Sequence, residues 1–137
     1  MLRFAVVCGS LLFALSGNVV AAEPVKELLG YPLLASEDFT AADPFQRWEP
    51  TDANAWKRVE QAGNGVFNQF AQSKYQTPVR SPFNRAMLKE LIVSDCVLDV
   101  KLQSTARDYP HRSLCLFFGY QDPAHFYYVH FGQKTDD

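Results

Sequence analysis

Apolar and polar residues alternate with a period of two along the last third of the chain, the repeat of a half-buried β-strand. Within Asp95–Ser104, Leu98, Val100 and Leu102 alternate with Asp99, Lys101 and Gln103. Ser113–Tyr120 and Phe126–Gly132 read as two further strands, joined by Gln121-Asp122-Pro123-Ala124, which is turn chemistry. The antiparallel register that matches like faces sets Leu114, Leu116 and Phe118 beside Tyr127, Val129 and Phe131. A one-residue slip would mix the faces, so this register is favoured. The opposite face then carries Cys115, Phe117, Gly119, Tyr128, His130 and Gly132.

Upstream the pattern is more broken. Glu37-Asp38-Phe39, Trp56–Glu60 and Gly65–Phe70 read as short strands, with Gly63-Asn64-Gly65 as a hairpin turn. Thr77–Arg80 is a possible edge piece, because Pro78 and Pro82 lack the N–H that a central ladder needs. Arg85–Leu91 reads as one helical turn or a loop. Residues 23–36 form a lead-in in which Val25, Leu28 and Leu29 share one face of a short helical turn, ended by Gly30 and Pro32. Short strands between frequent prolines predict an all-β sandwich or barrel.

The first 22 residues obey a different rule. Arg3 precedes an apolar run from Phe4 to Leu15, Ser16–Asn18 breaks it, and Val20-Ala21-Ala22 supplies small side chains for cleavage. That order reads as a secretory signal peptide, removed after Ala22, and the run is too short to span a bilayer. The expected location is therefore secreted or periplasmic, with no membrane span in the mature chain. At 137 residues there is room for one domain. The net charge of −2 and the absence of a basic run argue against a nucleic-acid partner. The aromatic share of 14%, with 11 Phe and 6 Tyr, reinforces the β reading.

Three sets of residues carry candidate chemistry. The first is the sheet face bearing Phe117, Tyr128 and His130, to which the neighbouring strand would add Asp99, Lys101 and Gln103, with His111 and Arg112 at the rim. Flat rings suit sugars, while amides and charges suit hydroxyl pairs, so this face is a candidate carbohydrate site. The bland alternative is an ordinary outer face, or one covered by another segment. The second set is the cysteines. Cys96 and Cys115 have opposite strand parity, and a disulfide cannot join opposite faces of a sheet without a bulge. Both are expected to be free and mostly buried. The third set is possible metal ligands. Three histidines do not make a zinc site, whereas calcium could use Asp122, Asp136 or Asp137, a solvated turn being the alternative. Trp48 and Trp56 read as core packing. Arg80 and Arg85, flanking Pro82, could form salt bridges or touch a ligand.

The runs Arg107-Asp108-Tyr109-Pro110-His111-Arg112, Phe117-Phe118-Gly119-Tyr120-Gln121-Asp122-Pro123 and Phe126-Tyr127-Tyr128-Val129-His130-Phe131 resemble secreted bacterial proteins with a concanavalin A-like lectin/glucanase domain, often described as laminin-G-like. The resemblance runs from Phe39 to the end. It implies a jelly-roll sandwich of two antiparallel sheets, one concave and able to take carbohydrate. Such domains are longer than this chain, so residues 37–137 are read as the N-terminal part of one, truncated at the C-terminus. Laminarinase-type relatives carry Glu-x-Asp-x-x-Glu or Glu-x-Asp-x-Glu on one strand, alternation that sets acid and nucleophile on one face. No such run is present here, so no catalytic residue is assigned. The first expectation is a carbohydrate-binding domain. The alternatives are the N-terminal part of a glycoside hydrolase with its carboxylates beyond Asp137, and an adhesion or scaffold domain without a small ligand.

Overall fold

The computed structural model describes residues 24–79, 84–108 and 113–132, together with the backbone of 2–4. The signal-peptide reading therefore falls almost wholly outside the described residues, as do Arg80, His111, Arg112, Asp136 and Asp137. The described chain is all-β, with ten strands and two single 3-10 turns. The strands are β1 (Leu2–Phe4), β2 (Glu27–Leu28), β3 (Tyr31–Pro32), β4 (Trp48–Pro50), β5 (Trp56–Gln61), β6 (Asn64–Gln69), β7 (Ala86–Leu88), β8 (Leu98–Val100), β9 (Leu114–Asp122) and β10 (His125–Phe131). They pair two by two: β2 with β3, β4 with β7, β5 with β6 and β9 with β10 antiparallel, and β1 with β8 parallel.

The β5–β6 hairpin is the best-anchored part. Its two-residue loop, Ala62-Gly63, has φ of 49° and 78°, the left-handed pair that matches the twist of the flanking strands. The turn thus lies one residue earlier than Gly63-Asn64-Gly65. One face of the hairpin packs on aromatic rings. Phe67 lies 4.9 Å from Trp56, 5.7 Å from Phe39, 5.8 Å from Phe45 and 6.1 Å from Trp48 between ring centroids. Rings at these tilts add favourable edge and offset contacts to the area they bury. Both tryptophans are packing residues, as expected for their residue type.

Glu37–Phe39 is not a strand. Glu37 Oε1 accepts from the Phe39 N–H at 3.0 Å, and Asp38 Oδ1 accepts from the Thr40 N–H at 2.9 Å. These short side chains capture their own backbone and divert it from an extended path. Phe39 takes φ 53° and its carbonyl accepts from Arg58 Nε at 2.6 Å. Its backbone presses on Gly65, where an added Cβ would overlap the Phe39 carbonyl. Glycine at 65 is required by this close approach.

Arg85–Leu91 contains a strand instead of a helical turn. β7 pairs with β4, and the ladder is extended by Thr51 N–H to Arg85 O (2.9 Å) and Lys89 N–H to Arg47 O (2.8 Å). Ala, Met and Leu are good helix formers, but intrinsic propensity is weak against tertiary context, and the partner strand β4 overrides it. The lead-in likewise forms the β2–β3 hairpin, closed by Leu29 at φ 51° and Gly30 at φ 82°, not a helical turn. Residues 77–79 are not a strand. Of Asp95–Ser104 only Leu98–Val100 is a strand. Cys96 lies before it and is exposed, so the expectation of a buried Cys96 fails although both cysteines are free.

Candidate functional site

The β9–β10 hairpin has the register expected from its alternation: Leu114 faces Phe131, Leu116 faces Val129 and Phe118 faces Tyr127, while Cys115 pairs with His130 and Phe117 with Tyr128. The loop is Pro123-Ala124. Asp122 Oδ1 closes it by accepting from the Ala124 N–H at 2.7 Å, and both carboxylate oxygens lie 2.9 Å from His125 Nδ1. The Ala124 N–H first, and the His125 side chain second, hold the Asp122 carboxyl below the usual carboxylate range. Asp122, a calcium candidate by residue type, thus has both its oxygens engaged in the turn. No group of three His, Cys, Asp or Glu side chains among the described residues is placed to hold a metal.

The ladder is irregular between His125 and Tyr127, where extra residues of β9 bulge out. Gly119 sits at this bulge with φ 57°, a left-handed conformation that glycine adopts without strain. A Cβ there would stand 3.0 Å from Tyr127 Cδ2. The bulge takes two extra β9 residues, so Asp122 beyond it keeps the face of Phe118, and the residue displaced from its alternation is Tyr120 within it. Strict alternation would put Tyr120 with Phe118. Instead Tyr120 stacks on Phe126 at 6.1 Å, and Phe126 in turn meets Phe117 at 5.5 Å and Tyr128 at 6.2 Å. Tyr120 has joined the Phe117 face.

That face receives Arg85. Its backbone is fixed by the β4–β7 ladder and by Thr51 Oγ1, which accepts from the Arg85 N–H at 3.3 Å. Its guanidinium carbon lies 5.2 Å from the Phe126 ring centre, 5.4 Å from Tyr120 and 5.6 Å from Tyr75. The residue is only 3% exposed, and Nε and Nη1 have no hydrogen-bond partner. Among the described residues no carboxylate pairs with it.

The remaining sequence candidates separate into three groups. Phe117 is half-buried, while Tyr128 and His130 are exposed, and all three lie on the same hairpin face, as expected from parity. Asp99, Lys101 and Gln103 are exposed but are not brought beside them by strand pairing: β8 pairs with β1 and not with β9. Gln103 Oε1 instead accepts from Gln61 Nε2 at 2.8 Å, at the far end of the β5–β6 hairpin. His111 and Arg112 lie outside the described residues.

The apolar face of the hairpin, expected to be the covered one, is open. Phe118 and Tyr127 stack at 5.7 Å and 17° yet are 50% and 67% exposed, and Val129 and Phe131 beside them are exposed as well. Cys115 is half-buried on the other face, where burial pushes its thiol pKa up. The arginine cage was not legible in the alternation, because it depends on the bulge; the only sequence signal was the pair of arginines flanking Pro82. No helix among the described residues is long and apolar enough to cross a membrane. Compared with family models, with curated proteins and with solved structures, the chain gives no match.

Proposed function

We propose that this chain is an exported carbohydrate-binding domain, the N-terminal part of a concanavalin A-like jelly-roll sandwich, with the β9–β10 hairpin as its ligand-bearing element. The observation that carries this reading is the ring cluster on the Phe117 face, where Phe126 lies 5.5 Å from Phe117, 6.1 Å from Tyr120 in a stacked pair and 6.2 Å from the exposed Tyr128. Side-by-side rings at a small interplanar angle form a platform of the kind on which the C–H face of a sugar packs. Tyr128 and His130 supply a hydroxyl and an imidazole on the same face. Residues 1–22, read as a signal peptide, would deliver the domain to where polysaccharides are found.

A second reading is favoured by the same hairpin. The exposed row Phe118, Tyr127, Val129 and Phe131 also suits a protein partner, which would make this an adhesion or scaffold domain. A polysaccharide array probed with the full chain separates the two. The carbohydrate reading expects binding that Tyr128→Ala and His130→Ala weaken and that Tyr127→Ala, on the opposite face, leaves nearly unchanged. Circular dichroism checks that each variant folds. Absence of binding to every glycan overturns the reading in favour of the adhesion domain.

A further inference from the structure

Among the described residues, Arg85 is a buried charge without an acceptor on Nε or Nη1. A guanidinium keeps its charge at any physiological pH. Removing such a charge from water is costly, and hydrogen bonds to the head group normally offset much of that cost. Here Nε and Nη1 make none. The rings of Tyr75, Tyr120 and Phe126 offset part of the cost through cation–π attraction. They supply no acceptor in the plane of the fork. What is missing is a planar oxyanion, the group that a guanidinium binds through two parallel hydrogen bonds.

We propose that Arg85 and its aromatic cage bind the carboxylate of an acidic sugar, so that the preferred ligands are uronic acid-containing polysaccharides. This deepens the carbohydrate reading and rests on it. Three features combine. The charge is unpaired and 3% exposed. Thr51 holds the Arg85 backbone at both its N–H and its carbonyl, and three rings surround the guanidinium. The cage opens at the surface through Tyr120, which is 37% exposed and can turn aside by an ordinary rotamer change. A sugar ring would stack on the aromatic walls while its carboxylate meets the fork through Nη2 together with Nε or Nη1, the two nitrogens that lack a partner. The net charge of −2 makes a general attraction to polyanions a poor explanation for such a preference, leaving the local fork to supply it.

The test is calorimetric titration of the full chain with tri-galacturonate and tri-glucuronate, each beside its methyl ester. The ester keeps the ring and hydroxyls and removes only the charge. Wild type is expected to bind at least one acid about ten- to a hundredfold more tightly than its ester, the range of one charge-assisted contact. Arg85→Met should abolish that preference, and Arg85→Lys should lose most of it because a point charge cannot make the paired bonds. Arg85→Met should also melt no lower than wild type, since it removes an uncompensated buried charge. Equal binding of acid and ester, or neutral glycans bound on the array while neither acid binds, overturns the proposal and leaves the carbohydrate reading intact. A melting temperature lowered by several degrees in Arg85→Met would show that the guanidinium is a structural group, and would overturn the proposal as well. If no glycan of any kind binds, the carbohydrate reading itself falls.

Discussion

The two long hairpins, β5–β6 and β9–β10, are built from similar residues and end in very different surroundings. Both close with a two-residue loop, and both carry several aromatic rings. In β5–β6 one face is covered: Phe67 sits among Phe39, Phe45, Trp48 and Trp56, and the Phe39 backbone is seated on Gly65. In β9–β10 the row headed by Phe118 and Tyr127 meets solvent, while the reverse face closes on one cation, Arg85. The difference teaches that the same alternation specifies strands equally well with or without a cover. A structural hairpin differs from an available one in that another segment supplies it with backbone as well as side chains. Around β5–β6 such backbone bonds are present, as in Arg58 Nε to Phe39 O at 2.6 Å and the Phe70 N–H to Ala55 O at 3.0 Å.

Glycine substitutions break the comparison most sharply, because each hairpin depends on one glycine for a different reason. At Gly65 the obstacle is the Phe39 carbonyl, a backbone atom that cannot turn away. Gly65→Ala is expected to destabilise by about 3 kcal/mol, the upper range of overpacking, read as a lowered midpoint in urea. A loss under about 1 kcal/mol would mean that the 37–40 loop is not seated on β6. At Gly119 the obstacles are the left-handed backbone and a flexible ring, Tyr127, that can give way. Gly119→Ala should cost less, about 1–2 kcal/mol, mainly from the backbone conformation. Its sharper signature is functional: straightening the bulge would return Tyr120 to the Phe118 face and open one wall of the cage. The variant should lose the acid-over-ester preference while remaining folded.

Much of the fold was legible in the chain, and the failures have physical causes. The β9–β10 register agrees with the matching of faces, and Trp48 and Trp56 are packed as their type suggests. Glu37–Phe39 departs from a strand because Glu37 and Asp38 bond to the backbone two residues on, an option that apolar alternation does not reveal. Ala86–Leu88 is a strand that local pattern conceals, because its ladder partner, Trp48–Pro50, is far away in sequence and has no strand signature of its own. The site was half legible. Phe117, Tyr128 and His130 share a face, but Asp99, Lys101 and Gln103 join it only if consecutive strands pair, and β8 does not pair with β9. Tyr120 and Arg85 were invisible as a pair because the bulge at Gly119 takes Tyr120 out of the alternation that the rest of the strand follows.

Amide hydrogen exchange along the full chain, free and saturated with tri-galacturonate, tests the central claim most directly. In the free protein, amides of β5–β6 should be the more protected, since their opening must also break the contacts of Phe39 and Gly65, whereas β9–β10 opens with less loss. Ligand should then slow exchange in β9–β10 and around Arg85 while leaving β5–β6 nearly unchanged. Ligand protection centred on β5–β6, or spread evenly over both hairpins, would contradict the account.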